Sequence, residues 1–160
     1  MAVKYNEIAK VIVAILICQA AGLIGSIFTA SSVKTWYVEL QKPAFTPPGW
    51  LFGPVWITLY ALMGIALYLA WSKGLLKPEN RLALYVFIIQ LVLNALWSVL
   101  FFGLKSPMWG LIGISVLWIA ILLTVIKFFG ISPLSGYLLL PYILWVSFAA
   151  VLNFFIWRIN

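Results

Sequence analysis

Histidine and aspartate are absent from the 160 residues, glutamate occurs three times and cysteine once. Each shortage removes a class of chemistry. Without His or Asp there is no Ser-His-Asp triad, no His general base and no His-based metal site. The three carboxylates, Glu7, Glu39 and Glu79, all fall near the ends of apolar runs, so none is placed for a proton relay inside a membrane. A hydrolase, a metalloenzyme and a proton-driven pump each need groups that this chain lacks. A single cysteine, Cys18, allows no intrachain disulfide and leaves the redox compartment open. Charge is scarce as well: 8% of residues are charged, against about 25% in an ordinary soluble domain.

What takes the place of charge is apolar, 66% of the chain. A small soluble domain leaves much of its surface in water and could not hide that proportion. The excess must face lipid. Ten Lys and Arg against three Glu give a net charge of +7, a balance that in a soluble chain suggests nucleic acid. Here the basic residues stand singly at the ends of apolar runs, where they snorkel toward anionic headgroups. Nucleic-acid binding is not expected, and membrane lipid is the expected neighbour.

A spanning helix needs about 20 mostly apolar residues. Five segments qualify, at 8–30, 50–71, 81–103, 108–129 and 136–157. They are continuously apolar and lack the alternation of barrel strands. The expected fold is therefore an all-α integral membrane protein, one domain over residues 1–160 forming a single bundle of five transmembrane helices. The first apolar run, Val11 to Ala30, exceeds the roughly 7–15 residues of a signal-peptide core and reads as a retained span. Lys4, Lys10, Lys73, Lys77, Arg81 and Lys127 fall on one side of the membrane, Lys34, Lys42, Lys105 and Arg158 on the other. Six against four leans toward a cytoplasmic N-terminus in a prokaryotic cell membrane. No internal repeat is visible and five spans do not halve, which argues against an inverted-repeat transporter.

Within the spans, polar and aromatic residues recur at helical spacing. Gln90, Asn94, Trp97 and Phe101 share a face of the third span, and Gly53, Trp56, Tyr60 and Gly64 a face of the second. Tyr142, Trp145, Ala149 and Asn153 align on the fifth, and Gln19, Gly22 and Ser26 on the first. An unpaired amide in hydrocarbon costs roughly 4–8 kcal/mol, so Gln90, Asn94 and Asn153 should point inward. Interhelical glue would account for them. Trp36, Trp50, Trp71, Trp109 and Trp157 lie near the predicted interfaces, where an aromatic belt accounts for them. Trp56, Trp97, Trp118 and Trp145 lie deeper, and three of these fall on the inward faces. Broad indoles beside Gly53, Gly64 and Ala149 suggest a cavity for a planar apolar molecule. The 31–49 connection carries Pro43, Pro47 and Pro48 and cannot be helical throughout. It is either a lid over the mouth of the bundle or a loop anchored by aromatics at the membrane surface.

At this loop the sequence resembles the TspO family, the bacterial tryptophan-rich sensory proteins and the mitochondrial translocator protein or peripheral benzodiazepine receptor. The resemblance runs through WYVELQKPAFTPPGW, PVWITLYALMG, QLVLNALWSVLFFGLKSPMWG, LLLPYILW and VLNFFIWRIN, in order along essentially the whole chain. It implies a five-helix bundle, commonly a homodimer, that binds porphyrins such as protoporphyrin IX and haem, and isoquinoline or benzodiazepine-type drugs. It carries ligand contacts onto Trp36, Trp50, Trp56, Gln90, Asn94, Trp97, Trp109, Trp145, Ala149 and Leu152. It also implies, for some bacterial members, light-dependent porphyrin breakdown involving tryptophans that match Trp56 and Trp145. That chemistry needs electron donation from an indole and no acid or base.

Two departures bear on this. Phe45 stands where many members have Trp, which removes one stacking or redox ring. Phe154 and Phe155 precede Arg158 where a sterol-recognition pattern needs a central Tyr, so sterol binding is not expected. Ala21-x-x-x-Gly25 and Gly22-x-x-x-Ser26 on the first span are small-residue pairs that permit close helix approach, whereas Tyr85 and Ile89 occupy the third span where some relatives have a small pair. The expected function is a porphyrin-binding membrane receptor or sensor. A porphyrin photo-oxidase and a facilitated transporter of tetrapyrrole or lipid are the alternatives. No cofactor is required, no metal site is expected, and porphyrin or haem enters as ligand. With no His, haem iron would take Tyr or Cys as axial ligand or none.

Overall fold

The computed structural model describes residues 2–160, with side chains from Asn6 onward. Five long helices account for nearly all of it: α1 (Ala2–Ser32), α3 (Gly49–Ser72), α4 (Arg81–Ser98), α5 (Pro107–Ile131) and α6 (Pro133–Ile159). A one-turn helix, α2 (Trp36–Glu39), lies in the first connection. All five are long and apolar enough to cross a membrane. At about 1.5 Å per residue even α4 with its flanking turns spans more than the roughly 30 Å of hydrocarbon. The chain is an integral, multi-pass membrane protein. Lys4, counted in the charge balance, lies outside the described side chains.

Proline marks the helix starts. Pro107 and Pro133 occupy the first turn of α5 and α6, where a missing N–H costs no hydrogen bond. Ser106 caps α5, its Oγ accepting from the Trp109 N–H at 3.3 Å. The third span ends differently. Residues Val99–Gly103 form a π turn, with Leu104 N donating to Val99 O at 2.8 Å and Ser106 N to Phe101 O at 3.2 Å. The wider turn carries the neighbours Phe101 and Phe102 into the interior together.

The helices close a ring. α1 packs on α3 and α4, α3 on α6, and α5 on both α4 and α6. The outer surface is Leu, Ile and Val, as a lipid-facing surface must be: Leu16, Ile27, Val92 and Ile126 are among the exposed residues. Half of the interior is solid. Phe87 and Phe128 stack at 5.4 Å there, packed in one core with Met63, Leu117 and Ile121.

Small residues set how closely the helices approach. At Gly22 a Cβ would lie 2.3 Å from the Tyr60 ring, and at Gly25 it would lie 2.9 Å from Ser98 Oγ. Gly22 and Gly25 are thus used inside the protomer, against α3 and α4, while Ser26 is exposed. Tyr85 and Ile89 on α4 are exposed.

Candidate functional site

The other half of the ring, on the side of the 33–48 loop, holds a cavity of about 440 Å³. That size falls within the roughly 300–1,000 Å³ of small-molecule sites. α1 contributes Gln19, Gly22 and Ser26 to the wall, and α3 contributes Gly53, Trp56 and Tyr60. α4 contributes Asn94 and Trp97, the π turn after it Phe101, and α6 contributes Trp145, Ala149, Leu152 and Asn153. The polar and aromatic faces of the four helices therefore converge on one space. α5 adds nothing to the wall, because it sits behind α4 and α6. Val33 and Tyr37 of the loop complete the lining.

The amides are held in a network at the cavity floor. The Tyr60 hydroxyl donates to Asn94 Oδ1. Asn94 Nδ2 donates to the Tyr142 hydroxyl at 2.8 Å, which donates onward to Gln90 Oε1 at 3.0 Å. Gln90 Nε2 faces Met63 Sδ at 4.0 Å. Three helices are joined by these bonds, and both ends of the Asn94 amide are engaged. Asn153 plays a similar part higher up, accepting from Trp97 Nε1 at 3.4 Å and donating to Pro107 O at 2.8 Å.

The rings are arranged around this floor. Trp56 stacks on Tyr60 at 5.5 Å and 28°, and Trp97 stacks on Phe101 at 5.4 Å and 21°. Trp145 meets Phe52 edge-on at 5.8 Å. Its indole Nε1 is buried and has no hydrogen-bond partner among the described residues. A buried indole normally has one, so this donor is the wall's unanswered polar group.

No charged residue lines the cavity. Lys42 stands behind Tyr37, its ammonium 4.8 Å from the ring centroid and donating to Leu40 O at 2.9 Å. Burial pushes the Tyr37 hydroxyl up from its ordinary range, since an ionised phenol loses its hydration there. The described residues contain no cluster of His, Cys, Asp or Glu able to hold a metal. The site can stack on and enclose a flat apolar molecule, and it can donate hydrogen bonds. Its lining has no carboxylate, amine or imidazole, and its ionisable groups are the Tyr37 and Tyr60 phenols.

Of the ten residues singled out in the sequence, the cavity brings together Trp56, Asn94, Trp97, Trp145, Ala149 and Leu152. The other four lie off the wall. Gln90 is 1% exposed and committed to the network below. Trp36 packs edge-on against Phe101 at 5.5 Å, from within the loop. Trp50, 72% exposed at the start of α3, and Trp109, 54% exposed at the start of α5, face outward. Helix rotation decides this: the inward positions of these first turns are Gly49, Phe52 and Gly53 in α3 and Gly110 in α5. Trp118 also serves packing, donating to Ser147 Oγ at 2.7 Å across to α6.

The sequence reading passed over Phe52, Tyr37 and Thr29, all on the wall. Phe52 was recoverable, since it precedes Trp56 by four residues on the same face. Thr29 follows Ser26 by three. Tyr37 was not recoverable, because its place depends on how the loop folds back.

A family model for the TspO/MBR family matches residues 14–158. A tryptophan-rich protein TspO of Archaeoglobus fulgidus is 50% identical, with 96% of this chain and 99% of that protein covered. The translocator protein of Homo sapiens is 38% identical over 86% of this chain and 82% of its own length. A tryptophan-rich sensory protein of Cereibacter sphaeroides is 36% identical over 78% and 77%. The matches extend across the spans that build the cavity as well as those behind it, and on this ground the chain belongs to the TspO/MBR family.

Proposed function

We propose that this protein is a membrane receptor or sensor whose cavity binds porphyrins, protoporphyrin IX and haem among them, and other flat apolar molecules. The observation that carries the reading is the wall itself: Trp56, Trp97 and Trp145 face one uncharged space bounded by small residues. Such a wall favours a broad aromatic ring through stacking and exclusion of water. The free Trp145 N–H supports a ligand that carries an acceptor. Haem is read as recognised by its ring. Tyr37 and Tyr60 are the lining groups able to ligate iron, and Tyr60 commits its proton to Asn94. Porphyrin carboxylates would stay at the loop end of the cavity, near Lys42. The prokaryotic cell membrane remains our assignment of place, supported by the higher identity with the archaeal relative than with the human one.

Titrating protoporphyrin IX into the purified protein while following tryptophan fluorescence tests the reading. Saturable quenching at micromolar ligand is expected, and its absence would overturn the proposal.

A second reading, a light-driven porphyrin oxidase, is favoured by one feature: both Trp56 and Trp145 lie on the wall. An indole there would give an electron to the excited ring, and dissolved dioxygen would be the terminal oxidant that takes the electrons from indole and ring. Loss of porphyrin absorbance under light should then vanish in Trp56→Phe plus Trp145→Phe while binding persists. Equal bleaching by that variant would remove the reading.

A further inference from the structure

The seam between α1 and α3 changes along its length. Away from the loop the two backbones touch: a Cβ at Gly64 would lie 2.5 Å from Ile15 Cα. Further up, Gly22 fits against the Tyr60 ring. Toward the loop contact ends, and a Cβ at Gly53 or at Gly49 would meet nothing within 4 Å. The helices part as a wedge.

Two residues of this wedge have a double aspect. Leu23 and Ile57 line the cavity, yet they are 67% and 62% exposed, as much as the lipid-facing Leu16 and Ile27. Residues that belong to wall and exterior at once mark the edge of an opening. Leu23 stands nine residues before the end of α1, and Ile57 eight residues into α3. At 1.5 Å per residue they lie about 12–14 Å below the helix ends. That depth is within the acyl chains.

The loop above the cavity is fastened by contrast. Asn160 Oδ1 accepts from Gln41 N at 3.0 Å while its Nδ2 donates to Gln41 O at 3.0 Å. Ser32 Oγ donates to Phe102 O at 2.8 Å, and Phe45 sits edge-on to Phe148 and Phe155. At the wedge one side-chain hydrogen bond crosses the seam, from Gln19 Nε2 to Ile57 O at 3.0 Å. The other described side-chain bond between α1 and α3, Tyr68 to Glu7, is at the opposite end.

We infer that the cavity exchanges its occupant sideways with the hydrocarbon of the bilayer, through the α1–α3 wedge, and that Gln19 is the latch of this portal. Its partner is any apolar molecule dissolved among the acyl chains, and a phospholipid tail is the simplest. The inference uses the cavity of the proposed function but does not require porphyrin to be its ligand.

The test reconstitutes the full chain in vesicles containing a phospholipid with a diazirine midway along one acyl chain. After illumination the labelled residues are mapped. Label is expected on Trp56, Tyr60 and Trp145 of the inner wall as well as on outward Leu23 and Ile57. Gly53→Phe, whose ring has room at the mouth, should cut inner label at least about fivefold and spare outer label. Gln19→Leu should raise the rate of inner labelling about three- to tenfold, the range for loss of one interhelical hydrogen bond. Asn160→Ala should leave it unchanged. Outer label alone in the unaltered protein overturns the portal, whether or not protoporphyrin IX binds. Faster inner labelling in Asn160→Ala but not in Gln19→Leu overturns it in favour of entry through the loop. Failure of Gly53→Phe to fold leaves the Gln19→Leu rate to decide.

Discussion

Asn94 is the residue on which the cavity floor depends. It accepts from Tyr60 and donates to Tyr142, so its removal strands a buried hydroxyl donor on α3. An orphaned buried donor costs about 1–3 kcal/mol. Asn94→Leu should therefore lose about that much stability to thermal unfolding in detergent, although Leu is the more apolar residue. Trp145 is the opposite case. Its N–H has no partner to lose, so Trp145→Phe should cost only the ring contact with Phe52 and Phe148 and destabilise less than Asn94→Leu. The same change should weaken a ligand bearing a hydrogen-bond acceptor by about tenfold, the worth of one hydrogen bond of roughly 1.4 kcal/mol. Parallel titrations with and without the acceptor group would separate this from lost ring contact.

Among the elements, α1 shows how one helix serves two purposes. Its Gly22 and Gly25 admit Tyr60 and Ser98, and its Gln19, Leu23 and Ser26 border the cavity. Small-residue pairs of this kind permit close helix approach, and here Gly22 and Gly25 use it within the protomer. Gly25→Val should accordingly abolish folded protein, read as loss of a monodisperse peak and of near-ultraviolet dichroism. A clean shift from dimer to monomer would contradict this assignment. The π turn at Val99–Gly103 belongs to the same scale. Single π turns are frequent at functional sites, and this one turns two consecutive phenylalanines inward. The third span from 81 to 103 was legible as an apolar run. The local widening was not, since nothing in VLFFG distinguishes it from α-helix.

At the level of the whole molecule, charge and cavity are kept apart. The net charge is +7, yet no ionisable amine, carboxylate or imidazole stands on the cavity wall. Tyr37 in the loop ionises above its ordinary range because of burial, so it stays neutral throughout the physiological interval. A raised phenol pKa means that the neutral form persists as pH climbs, and no wall group changes charge. Binding of an uncharged planar ligand should hence be flat between about pH 5.5 and 8.5, measured by titration across that range. A step in affinity would point to a charged group that reaches the site.

The amino-acid sequence by itself determined the solvent, the helix count and the lack of His and Asp. These follow from sums over residues: apolar run length against bilayer thickness, and the presence or absence of side-chain types. It also set which residues share a helical face, because 3.6-residue periodicity is local. Only the tertiary structure decided what each face meets. Gln90 and Asn94 stand one turn apart, yet the first lies sealed in the floor and the second reaches the wall, a difference made by Tyr60 and Tyr142 arriving from other helices. Trp36 and Tyr37 adjoin in the first connection, and the way that segment folds back sets one against Phe101 off the wall and the other on the cavity lining. Such choices depend on contacts between helices far apart in the chain, which no local pattern encodes.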